Sequence, residues 1–360
     1  MSEIEKLKSV ETGNCFHQAA VSSDGKFVAV VGNDNSVEIL TSAGHVIESI
    51  RLSALTAEDA TVTLAWGQLA DTCTLLIASS MGHLLTCASP DFKPVPVPIR
   101  AKLMTRNFQK ISVCKSGRDA VVASDCEIVW LTRRGEMGQF EGTPRASPFT
   151  LDGGSDTVLS LDMHPAGSVV ALTSVSRKSV LIIARDGSRS ELTDQLRKRP
   201  TEMADDECAP VTEPEGDERE QILPSVVNEV VLSSARLPVA CAWSKYGDTL
   251  AVASSDNLLS FWSVPGGTME TVAVGESTTV IRNICFLNDV FVAVSINDAN
   301  RVLIVNIDDG VLYDSSELAE RGSGIGSKNA SLDFALSKDK LLIFRPDDAC
   351  SALAKWQLAL

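Results

Sequence analysis

The chain has 360 residues, 44% of them apolar, and a formal net charge of −15. That is ample material for a buried core, and the excess of acid repels phosphate backbones, so direct nucleic-acid binding is not expected except through a local basic patch. No run approaches the roughly 20 apolar residues that span a bilayer, which leaves no membrane role to expect.

The N-terminus, MSEIEKLKSVETGN, is charged and lacks the apolar centre of a secretory signal. Nine cysteines are scattered along the chain with no CxxC pair. Most lie in apolar runs, where a thiol behaves as a small hydrophobe. A reducing compartment, cytosolic or nuclear, is therefore expected, with no disulfide framework and no zinc site.

From Phe16 to Leu52 the sequence reads FHQAAVSSDGKFVAVVGNDNSVEILTSAGHVIESIRL. Four short apolar runs alternate with the turn segments SDG, NDN and SAG, which predicts a four-stranded antiparallel meander. The pattern recurs in VCKSGRDAVVASDCEIVWL, MHPAGSVVALTSVSRKSVLII and WSKYGDTLAVASSDNLLSFWSV, and more weakly in three other segments. The first turn of each copy falls near Gly25, Asp71, Gly117, Gly167, Gly247, Asp289 and Asp339, in steps of 46, 46, 50, 80, 42 and 50 residues. A period of about 40 to 50 residues is that of four-stranded propeller blades.

The repeats resemble those of the WD-repeat β-propeller superfamily in degenerate form. Val129-Trp130-Leu131 and Phe261-Trp262-Ser263 stand where that superfamily carries Trp-Asp, and Gly44-His45 and Gly82-His83 look like its Gly-His dipeptide. The resemblance implies an all-β, seven-bladed β-propeller over residues 1–360. The last copy ends at LAKWQLAL, its third strand, so a fourth is needed to remove the sheet edge. The segment Ile4 to Val10 is expected to supply it.

The one long step contains RKRPTEMADDECAPVTEPEGDERE, with nine acids and a single base, Arg219, among them. Such a composition cannot bury enough surface to order itself. Residues 197–224 are therefore expected to form a disordered acidic insertion between blades 4 and 5. A basic partner could dock there, tuned by modification at Thr201 or Thr212, and RKRP could be read as a short nuclear import signal.

Enzyme motifs are scarce. The four histidines, His17, His45, His83 and His164, form no HExxH and no i, i+4 pair, and no G-x-S-x-G elbow is present. His164 reads as a turn or inter-strand hydrogen-bonding residue. The segment GSGIGS, Gly322 to Ser327, fits neither a phosphate loop nor a dinucleotide fingerprint. No catalytic, cofactor-binding or metal residue is assigned.

Partner contacts are expected instead at the polar turns between second and third strands. These turns offer Asp34, Arg177, Lys178, Asp256, Asp298 and Arg301 on one common face. Turn geometry does not require charge at Arg177, Lys178 or Arg301, which makes them the stronger candidates. Arg133-Arg134, in a third-to-fourth-strand hairpin, reads as a solvated turn. The expected function is a non-catalytic scaffold or adaptor in a multiprotein complex. One alternative is a propeller subunit of an RNA-modifying enzyme, similar in blade pattern to the non-catalytic subunit of the tRNA guanine-N7 methyltransferase. The Arg-Asp-Glu run that this likeness would place in a middle blade is here Ser124-Asp125-Cys126-Glu127. A propeller enzyme with a channel-bound metal or substrate is a third class, against which the scarcity of histidine weighs.

Overall fold

The computed structural model describes residues 5–11, 16–32, 36–52, 61–69, 71–99, 107–114, 116–125, 127–134, 139–146, 156–185, 226–231, 237–264, 268–274, 281–296, 301–308, 310–314, 333–337, 340–346 and 352–359. Every element among them is a strand. After β1 (Glu5–Glu11), the first sheet holds β2 (Phe16–Val21), β3 (Phe27–Gly32), β4 (Ser36–Thr41) and β5 (Val46–Arg51). The second holds β6 (Val62–Leu69), β7 (Thr72–Ser79), β8 (Leu84–Ala88) and β9 (Pro94–Pro96). The third is β10 (Phe108–Val113), β11 (Asp119–Ser124), β12 (Glu127–Arg134) and β13 (Gln139–Ala146). The fourth is β14 (Val158–Met163), β15 (Val169–Ser174), β16 (Ser179–Ala184) and β17 (Val226–Val231). The fifth is β18 (Pro238–Trp243), β19 (Thr249–Ser254), β20 (Leu258–Ser263) and β21 (Thr268–Ala273). The sixth is β22 (Ile281–Phe286), β23 (Phe291–Ile296), β24 (Arg301–Asn306) and β25 (Gly310–Asp314). The seventh joins β26 (Asp333–Ser337), β27 (Lys340–Pro346) and β28 (Ala352–Ala359) to β1.

Each sheet is an antiparallel meander, and the glycines at the first turns make it possible. Gly25, Gly117, Gly167 and Gly247 have φ of 67°, 68°, 80° and 76°, a region a β-carbon disfavours. In each turn the glycine N–H bonds back to the carbonyl three residues earlier, as Gly167 does to His164 at 2.8 Å.

The core lies between sheets. Ala29, Val31 and Ile39 of the first sheet pack on Leu64, Leu75 and Ile77 of the second. Like clusters join the second to the third, the third to the fourth, the fourth to the fifth and the fifth to the sixth. A middle strand is thus covered on both faces. This explains why VVALTS and SVLIIA, buried throughout, read as continuous apolar runs rather than alternating ones.

The seventh sheet has the expected closure. Strand β1 pairs antiparallel with β28, from Glu5 opposite Gln357 to Glu11 opposite Ala352. Strand β2 of the first sheet also packs on β26 and β27 of the seventh.

One boundary differs from the sequence reading. The acidic segment is not placed between blades 4 and 5. Val226–Val231 pairs with β16, with Val231 opposite Ser179 and Val226 opposite Ile183, so it is the fourth strand of the fourth sheet. The insertion lies inside that sheet, in its third-to-fourth-strand connection. The reason is pairing chemistry: the β-branched run VVNEVV fits a pleated edge strand. Residues 197–224 themselves lie outside the described residues.

Candidate functional site

The first strands of successive sheets run side by side in the same direction. Early in β10, Gln109 Oε1 accepts the N–H of Val158 at 2.8 Å, and late in it Ser112 Oγ accepts the N–H of Met163 at 3.0 Å. The next pair repeats this. The Cys241 N–H donates to Ser160 Oγ at 3.1 Å, and the Trp243 N–H to Asp162 Oδ2 at 2.7 Å. All second-to-third-strand turns of these sheets therefore emerge at one end of the ring, together with the starts of the first strands.

Arg177 and Lys178 occupy that turn in the fourth sheet, and Asp256 occupies it in the fifth. Asp34 and Asp298 lie outside the described residues. Arg301 opens β24 at the same end, but its side chain is not among those described. The fourth-sheet turn is held from within by Asp156, a buried residue that the sequence reading did not single out. Its Oδ1 accepts the N–H groups of Thr157 and Ser176 at 2.7 and 3.0 Å, and its Oδ2 accepts the Ser174 hydroxyl. Lys178 takes a left-handed φ of 54° and is exposed. Asp256 is exposed too, yet its carboxylate accepts the Ser254 hydroxyl of its own turn at 2.5 Å.

A second device at this end was not legible in the sequence. The first strand carries a β-bulge near its start in sheets one, three, four, five and six. In the fourth sheet Leu159 and Ser160 together face one residue, Thr173, whose hydroxyl accepts both N–H groups at 3.1 and 2.8 Å. The equivalent extra residues are Gln109, Val239 and Arg282 in the third, fifth and sixth sheets. A bulge re-aims the side chain it carries. Leu159 is 38% exposed and Arg282 is exposed. Beside Gln109, burial lowers the pKa of half-buried Lys110 from the usual lysine value.

The opposite end is tied by arginines. Arg133, far from being a solvated turn residue, is half-buried. Its guanidinium donates to the Thr74 hydroxyl of the preceding sheet and lies 5.6 Å from the Phe140 ring centroid. One sheet on, Arg185 stands at the same repeat position. It pairs with Asp119 at 2.9 Å, bonds Thr132 and covers Trp130. There too His164 is fully buried between sheets four and five. Its Nδ1 accepts the Ala166 N–H at 3.1 Å, so Nε2 carries the hydrogen and donates to the Gly247 carbonyl at 3.2 Å. Burial pushes its pKa down to about 4.

Burial holds the thiols of Cys73, Cys87 and Cys241 at about 11, 12 and 12, which disfavours the thiolate a nucleophile needs. Among the described residues no group of three or more His, Cys, Asp and Glu is placed to hold a metal ion, and no helix is long and apolar enough to cross a membrane.

No family model matches the chain, and no curated protein matches it. Solved structures do. The β-propeller domain of Cps50 (Swd1) from Myceliophteria thermophila superposes with a TM-score of 0.61 at 10% identity, over 98% of this chain and 99% of that one. The fold is a β-propeller. Raptor from Chaetomium thermophilum superposes with a TM-score of 0.65 at 13% identity, over 99% of this chain but 29% of its own length. In all, 1638 solved chains match, so the propeller likeness by itself selects no partner or activity.

Proposed function

We propose that this propeller is a non-catalytic scaffold that holds protein partners in a larger assembly, in the cytosol or nucleus. The observation that carries the reading is the asymmetry of the ring. One end is internally tied by Arg133, Arg185 and His164. The other presents Arg177, Lys178, Arg282 and the exposed Leu159 on rigid turns and bulges. Pre-set loops on a rigid ring lower the ordering cost of association. The free thiols among the described residues, four of them buried, accord with a reducing compartment.

The acidic segment is the second contact we assign. It leaves β16 and returns at β17, at the end opposite the Arg177 turn, so a basic partner held there would not compete with one at the turns. Affinity capture of the full chain with mass spectrometry tests the scaffold reading. The expected result is a set of co-purifying subunits that is lost on joint reversal of Arg177, Lys178 and Arg301 to Glu. Recovery of a methyltransferase as sole partner, or of nothing, would overturn it.

A further inference from the structure

The acids and bases at the turn end of the ring are not in the same condition. Asp156 is buried and fully engaged by Thr157, Ser174 and Ser176. Asp256 is bonded within its turn. By contrast, Lys110, Lys178 and Arg282 have no ion-pair or hydrogen-bond partner for their charged groups among the described residues. In a chain of net charge −15, these three cations share one end. They lie along an arc from the third sheet to the sixth, interleaved with Leu159 and Val239 at bulge positions equivalent to that of Arg282.

We propose that this arc is a docking site for a short acidic segment of a partner protein, one that also carries aliphatic side chains. The inference rests on the scaffold reading and names the chemistry of its partner. Neighbouring sheets pack about 10 Å apart, so the arc spans at most about 30 Å, the length of roughly nine extended residues. Carboxylates spaced along such a segment meet Lys110, Lys178 and Arg282, and its apolar side chains meet Leu159. The occupant is a peptide rather than RNA because the aliphatic bulge residues offer a nucleic acid no aromatic platform for stacking.

The probe is a fluorescein-labelled peptide of about nine residues, mostly Glu with Leu interspersed. It is titrated with the full chain and followed by anisotropy at about 50 and 200 mM salt. A matched Lys–Leu peptide and a single-stranded RNA of equal length serve as competitors. The Glu–Leu peptide is expected to bind and the Lys–Leu peptide to fail. Lys178→Glu and Arg282→Glu should each weaken binding about tenfold and flatten its salt dependence. Leu159→Ser should weaken it with the salt dependence unchanged. These three positions are at or near the surface, and an unaltered melting temperature confirms each variant is folded. Tighter binding of RNA, equal binding of the two peptides, or indifference to both charge reversals would overturn the proposal. If captured subunits still depend on the turn arginines while the Glu–Leu peptide does not bind, the acidic-segment proposal falls and the scaffold reading stands.

Discussion

His164 of the fourth sheet donates its Nε2 hydrogen to the carbonyl oxygen of Gly247 in the fifth, 3.2 Å away. The contact is possible only because Gly247 has no side chain. A β-carbon there would sit 1.8 Å from Nε2, at a φ of +76°. We expect Gly247→Ala to cost about 3 kcal/mol, from overpacking and left-handed strain together. Urea unfolding measures it; a loss below about 1 kcal/mol would mean that the two sheets part easily here.

The same pair sets a pH dependence. The unfolded chain protonates a histidine near 6.5, whereas His164 in the folded state resists until about 4. Between these values the unfolded state binds more protons, so stability is full above pH 6.5 and is lost as pH falls toward 4. A shift of this size corresponds to about 3 kcal/mol. Other carboxylates titrate over the same range, so the readout is a difference. His164→Gln should unfold with less pH dependence than wild type between about pH 7 and 4, and parallel curves would remove His164 as the cause.

Arg185 joins sheets three and four by bonding Asp119 and Thr132 and covering Trp130. Removing it leaves a half-buried carboxylate without its cation. We expect Arg185→Ala to destabilise by about 2 kcal/mol. Arg185→Lys should restore only part of that, because an ammonium cannot serve both oxygens in one plane. Full recovery with Lys would show that charge alone matters.

Deletion of Thr201–Glu220 is expected to leave the melting temperature nearly unchanged. Strands β16 and β17 pair through residues outside that segment, and loop-closure cost varies only slowly with length. A drop of more than about 4 °C would show that the acidic segment packs on the ring.

The repeat was legible because its chemistry is local. The turn glycines Gly25, Gly117, Gly167 and Gly247 mark positions where only a left-handed residue closes the meander. The covered middle strands announce themselves as apolar runs. What was not legible depends on neighbours distant in sequence. The extra residue of a bulge, such as Arg282, is fixed by cross-strand register and leaves no mark in composition. Strand β17 was missed because a long polar insertion separates it from β16. Arg133 and Arg185 did carry a signal: each comes one residue after the third-strand position that faces the second strand's first residue. Their partners Thr74 and Asp119, however, lie on the preceding sheet, where no local pattern points.

Closure of the ring rests on β1. Its residues Glu5 to Glu11 lie opposite Ala352 to Gln357 of β28, with one register shift between Lys6 and Lys8. Without β1, strand β28 becomes an open edge carrying the apolar run of LAKWQLA, which is a template for pairing with another chain. The lost ladder hydrogen bonds contribute about 0.5 to 1.5 kcal/mol each, so removing residues 1–12 should lower stability by several kcal/mol and the melting temperature by at least about 5 °C. It should also make the protein self-associate as its concentration rises. Light scattering and thermal unfolding read the two effects separately. A truncated chain that stays monomeric with an unchanged melting temperature would show that the seventh sheet does not need its N-terminal strand, and the ring would then be held by the inter-sheet cores alone.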